Sequence, residues 1–133
     1  MKIVNWILRL LAAVIMLQTL YFKFTAAPES VYIFRTIGME PYGRIGIGVM
    51  ELLASILLLL PTTRLIGAGL GIGLMAGALF FHLTQLGIEV QGDGGQLFAY
   101  ALIVMVSCVL LLLLNFKETL QLIQTVISVF KKK

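Results

Sequence analysis

The chain has 133 residues, 60% of them hydrophobic and 12% charged, with a mean hydropathy of +1.05. An ordinary soluble domain is about 45–50% apolar and about 25% charged, so the composition excludes a soluble module and predicts one integral membrane domain over residues 1–133. The net charge of +4 is distributed as membrane topology requires and is not read as a nucleic-acid surface.

Four apolar segments approach the ~20 residues needed to cross the hydrocarbon core, at about 4–24, 42–60, 64–86 and 97–115. Arg9 and Lys23 interrupt the signal-peptide pattern that "KFTAAP" would otherwise imitate, so the first segment reads as a retained span. "PESVYIFRTIG" (28–38) begins with proline and ends with glycine, which predicts a short interfacial helix. Pro41 and Pro61 bracket the second span and Gly87 caps the third. "GDGG" (92–95) is a tight turn before the fourth, where Asp93 is also a candidate partner contact. Residues 116–133 form an amphipathic tail: Phe116, Leu120, Ile123, Ile127 and Phe130 share one helical stripe, and the terminal "KKK" can meet anionic lipid or simply be solvated.

An even number of spans places both termini on one side. That side carries Lys2, Arg9, Arg64, Lys117 and Lys131 to Lys133, while the other has Lys23, Arg35 and Arg44 with Glu29, Glu40, Glu89 and Asp93 among them. The positive-inside rule then makes the termini cytoplasmic. The fold class expected is all-α: a four-transmembrane-helix bundle with a short outer interfacial helix and a C-terminal amphipathic helix.

Each span carries a stripe of small or polar residues at helical spacing. These are Asn5, Arg9, Ala12, Met16, Thr19 and Lys23; Arg44, Gly48, Glu51 and Ser55; Gly67, Gly71, Leu74, Ala78, His82 and Gln85; and Gln96, Tyr100, Ile103 and Ser107. In lipid such stripes face other helices. Glu51 is the sharpest feature, because a carboxylate near the middle of a span costs about 2.5–3.5 kcal/mol on insertion scales. At 1.5 Å per residue it lies roughly 10 Å along its helix from Arg44, and His82 comes out about 6–8 Å inside the same boundary. Glu51, His82, Lys23, Arg44 and Gln85 are therefore the candidate ligand-binding or proton site, in the outer half of the bundle.

Two readings stay open for these residues. Glu51 is either half of an ion pair with Arg44 or Lys23, or a ligand or proton site; His82 is a hydrogen-bonded histidine, a proton donor, or a partner for a quinone-like carbonyl. Lys23 can snorkel outward, and Arg44 can satisfy a buried carboxylate bidentately. "GLGIG" (69–73) lies inside a span with no preceding strand, so it is not a dinucleotide fingerprint. Gly69, Gly73 and Gly77, with Gly67 and Gly71, are read as helix-packing residues. Cys108 and His82 are the only residues of their types, which rules out an intrachain disulfide and a bis-histidine haem and argues against an all-protein metal site.

"FK" (22–23), "RIGIGVMELLASILLLLP" (44–61), "GALFFHLTQLG" (77–87) and "GDGGQLFAYAL" (92–102), in this order, resemble the DoxX-like bacterial membrane proteins. The resemblance implies a four-helix bundle in the inner membrane. Some relatives are subunits of quinone-linked oxidoreductases acting on thiosulfate, and others belong to redox-protective complexes. It singles out Lys23, Glu51 and His82. The expected function is an accessory or quinone-associated subunit of a membrane redox complex, with redox cofactors held by a partner, quinone being the one this chain could line a site for. The alternative is a stand-alone binding or transport module for a small anion, lipid or proton, with a homo-oligomer in place of a redox partner. An autonomous enzyme using Glu51 and His82 as base and acid is the weakest reading.

Overall fold

The computed structural model describes residues 2–132, which form six helices. They are α1 (Lys2–Phe24), α2 (Pro28–Thr36), α3 (Tyr42–Leu59), α4 (Arg64–Phe81, continued by a wider turn over His82–Leu86), α5 (Gln96–Leu114) and α6 (Phe116–Lys131). Four of them, with α4 counted through Leu86, are long and apolar enough to cross a membrane. The protein is thus a multi-pass membrane protein, and the bilayer is its solvent.

The boundaries follow from local chemistry. Pro28 stands in the first turn of α2, where a missing N–H costs no helical bond. Leu60 is extended at ψ 128°, the conformation forced on a residue that precedes proline, and α3 stops there. Gly87 ends the α4 run at φ +80°, a backbone region that β-carbons disfavour.

The four spans pack in a ring, with α1 against α3 and α5, and α4 against the same two helices. Ala12, Met16, Ala54, Leu58, Ala68, Val104, Cys108 and Leu111 fill the middle. Lipid is as apolar as these side chains, so close packing and polar contacts hold the bundle rather than hydrophobic expulsion. Close approach is greatest at the α3–α4 hairpin, where a β-carbon on Gly67 would lie 2.6 Å from the Leu58 backbone nitrogen. Gly71 stands similarly against Cys108. Gly69, Gly73 and Gly77 do not pack inside the bundle as the sequence reading supposed: a β-carbon at any of them meets nothing within 4 Å. The glycines of α4 occupy two faces, and only one of these is turned inward.

At the end of the bundle that carries the termini, Arg9 is buried. It donates from Nε to the Leu58 carbonyl (2.5 Å) and from Nη2 to that of Leu59 (2.8 Å), and its guanidinium lies 3.8 Å from the centre of the Trp6 ring. These carbonyls are among the last of α3 and have no partner within the helix. Asn115 reaches Asn5 (2.8 Å), and Arg64 reaches Glu118 (2.5 Å), joining the start of α6 to the bundle. No residue of α6 is buried. At the opposite end α2 lies across α1, α3 and the wide turn, with Ser30 and Phe34 facing in.

Candidate functional site

Beneath α2 the bundle encloses a cavity of about 630 Å³, within the range of small-molecule sites. Its walls come from α1, α3, α4 and α5, its roof from α2, and its surface is mainly apolar. Glu51, Lys23 and His82 all line it.

Glu51 is 5% exposed. Its Oε2 accepts from Lys23 Nζ at 3.1 Å and from the Thr19 hydroxyl at 3.0 Å, and Lys23 also donates to Thr19 Oγ1 at 3.2 Å. Thr19 and Lys23 are four residues apart on α1 and thus share a face, which presents a hydroxyl and an ammonium to one carboxylate oxygen. The other oxygen, Oε1, has no hydrogen-bond partner among the described residues, yet it is not sealed off. It opens into the cavity.

His82 is 6% exposed. It occupies the first position of the wide turn, where the amide of Gly87 donates to the His82 carbonyl five residues back (2.8 Å). The His82 ring then folds over the same turn, with Nδ1 2.9 Å from the Gly87 carbonyl oxygen. A carbonyl can only accept, so the proton is on Nδ1, and in the neutral ring Nε2 carries a lone pair. Phe98 meets the imidazole edge-on, ring centres 5.6 Å apart. Nε2, like Glu51 Oε1, is unpartnered among the described residues without being sealed.

Two of the sequence candidates lie elsewhere. Arg44 does not reach Glu51; its Nε donates to both oxygens of Glu40 (2.9 and 3.0 Å), and its Nη1 donates to the Lys23 carbonyl. Glu40, four residues earlier on the chain, is the nearer carboxylate, and Arg44 acts on the site only by fixing the backbone that carries Lys23. Gln85 is exposed and does not line the cavity. The wide turn rotates each residue less than α-helical pitch does, so the interval from His82 to Gln85 no longer returns to one face.

Asp93 stays within its own loop. Its Oδ1 accepts from the amides of Val90 (3.0 Å) and Gly95 (2.8 Å), and Oδ2 accepts from that of Leu97 (3.2 Å), tying the turn to the start of α5. Burial alone would raise its pKa; these three amides, aided by nearby His82, outweigh it and hold the carboxyl below the ordinary 3.8. On α5 the buried face is Ala101, Val104, Ser107, Cys108 and Leu111, whereas Ile103 of the expected stripe faces lipid.

Among the polar groups of the cavity that sequence reasoning passed over are Thr19 and Ser30. Thr19 was visible as part of the α1 stripe but not as a carboxylate partner. Ser30, 6% exposed, lines the roof; its signal was Phe34 four residues on, which marks the inward face of a short amphipathic helix. The cavity also reaches the outer surface of α4, because Gly73 is exposed and both Gly73 and Gly77 line it. Among the described residues no group of three or more His, Cys, Asp or Glu side chains could hold a metal ion.

A family model described as "DoxX-like family" matches residues 7–114, which takes in the first span from Ile7 on, the other three spans whole and every residue of the cavity. No curated protein and no solved structure matches the chain.

Proposed function

We propose that this chain, which belongs to the DoxX-like family, is a subunit of a membrane redox complex that holds the polar head of a lipid-soluble ring of the quinone class. One observation carries the reading: Glu51 and His82 are about 95% buried, both line one apolar cavity, and their Oε1 and Nε2 atoms make no hydrogen bond among the described residues. Buried polar groups are nearly always satisfied. These two atoms stay open to one space, where a ligand can complete their bonding.

The residues present fit such a ring. Apolar walls accept its faces and tail, Glu51 and His82 orient its polar edges, and Lys23 and Thr19 hold Glu51 in place. When bound, the ring carries two electrons and two protons. Gly73 leaves the cavity open to the lipid side of α4, so a tail can remain in the bilayer. The α2 end is assigned to the outside of the inner membrane and the termini to the cytoplasm, on the distribution of Lys and Arg.

The test is a mild purification of chromosomally tagged protein from native membranes, with co-eluting proteins and lipid-soluble molecules identified by mass spectrometry. A stoichiometric redox partner together with a quinone is the expected result. A clean homo-oligomer carrying no quinone overturns it and favours a stand-alone module for an anion, lipid or proton, to be followed by binding and flux measurements in liposomes.

A further inference from the structure

Three buried side chains of the cavity carry a polar atom without a partner among the described residues, Glu51 Oε1, His82 Nε2 and the Ser30 hydroxyl, and the first two are acceptors; the other polar side chains of the wall are more exposed. Glu51, as the ion-pair partner of Lys23 at 3.1 Å, presents a carboxylate oxygen that accepts and has no proton to give. His82 has its Nδ1 proton directed at the Gly87 carbonyl, which leaves Nε2 as a lone pair. A ring bearing two carbonyl oxygens would set acceptor against acceptor at both places. A ring bearing two hydroxyls satisfies both.

From this we infer that the cavity selects the reduced, dihydroxy form of the ring over the oxidised, dicarbonyl form. The inference rests on the cavity reading above and narrows it to a ligand with two donors. Lys23 does not reverse the preference. Two of its three N–H groups are directed at Thr19 and Glu51. Its side chain is 14% exposed, twice the value for Glu51, so interfacial water can take the third. The Ser30 hydroxyl of the roof donates or accepts equally and favours neither form. The cost of mismatch is borne by Glu51 and His82, because a buried acceptor stripped of water and given no donor is destabilised more than a made bond is stabilised.

The selection has a consequence for direction. A site that holds the dihydroxy form more tightly retains the product of a partner's reduction, or takes up the substrate of a partner's oxidation. In both cases this chain sets which redox state stays near the partner without exchanging electrons itself.

The experiment uses the full chain in lipid nanodiscs under argon. Retention over empty discs is measured at equilibrium for decylubiquinol, for decylubiquinone, and for the di-O-methyl ether of the quinol, which keeps the ring and tail but has no donor. The quinol is expected to be retained about tenfold or more tightly than either of the others. Equal retention of quinol and quinone overturns the donor inference and leaves the cavity reading standing, as does equal retention of quinol and ether. Failure of all three to be retained overturns both. Wild-type protein decides these outcomes, so none depends on a variant folding. His82→Phe and Glu51→Gln then assign the atoms: each is expected to reduce the quinol preference severalfold while quinone retention holds. An unchanged preference in both overturns the assignment to Oε1 and Nε2.

Discussion

At the scale of single residues, the centre of the molecule is a carboxylate with two unequal oxygens. One accepts from Lys23 and Thr19 and the other faces open space. Removing one member of a buried ion pair leaves the other charge without compensation, at a cost of about 3–5 kcal/mol, whereas replacing both with apolar side chains is often neutral. Glu51→Leu and Lys23→Met are therefore each expected to destabilise the bundle strongly, and the double substitution to recover most of the loss. Unfolding of the four proteins in a denaturing-detergent titration gives the coupling free energy; additive losses would show that the pair contributes nothing to folding. The pairing was legible in the sequence as a choice between Arg44 and Lys23. What the sequence could not show was Glu40, whose position one turn before Arg44 depends on how the chain enters α3.

Elements explain why part of the design could be read and part could not. The inward faces of α1 and α3 are marked by charged residues, Arg9, Arg44 and Glu51, that have only one tolerable direction in lipid, and these were read correctly. α5 has only Gln96, Tyr100 and Ser107 as polar marks, too few to set its rotation closely; Ser107 turns inward with the small residues Ala101 and Cys108, and Ile103 does not. α4 misled for a similar reason, because glycine alone does not say which of two faces is packed. The difference is measurable. Gly67→Ala forces a methyl group into the α3 backbone and is expected to cost about 1–3 kcal/mol, while Gly69→Ala is expected to be neutral or slightly stabilising; equal effects in thermal unfolding would contradict the hairpin geometry. The loop before α5 carries a pH dependence. A carboxyl held below its ordinary value stabilises above that value and loses its contribution as pH falls through the lower, folded one. Asp93 should thus add acid sensitivity below the ordinary 3.8, modest because the loop is open to solvent. Asp93→Asn is expected to flatten the stability profile there, and an identical acid limb in wild type and variant would remove Asp93 from the account.

The whole molecule is a bundle with two differently finished ends. At one end Arg9 and Arg64 bind carbonyls and the start of α6, and the spans close tightly. At the other the spans part around a cavity roofed by α2 and open beside α4. Opposite finishing is what a membrane receptor for a tailed molecule requires, with firmness on one side and access on the other. Gly73→Phe should narrow the opening, and its β-carbon enters free space, since nothing lies within 4 Å of one there. It is expected to leave folding intact and to slow ligand exchange by about tenfold or more, read as dissociation from nanodiscs; unchanged exchange would place the route elsewhere. α6, bound to the bundle only at its start, should follow the lipid. Its amide hydrogens are expected to exchange more slowly in anionic than in zwitterionic discs, at about 1 kcal/mol per lysine engaged, and the same exchange in both would leave α6 solvated.

The wide turn at His82 bears on how the chain tolerates changes in its length. A five-residue bond holds one residue more than α-helical pitch needs, so the segment 83–86 contains a spare position. Deleting Thr84 would convert the turn to ordinary helix and leave Gly67 and Gly71 in register with their neighbours. Deleting a residue between Leu65 and Gly71 would instead swing one of these contacts away. The tolerated deletion would not be silent: Gly87 would come one residue closer, and its carbonyl would no longer lie where the imidazole now sends its proton. The spare residue thus separates what builds the bundle from what fixes the tautomer of its only histidine.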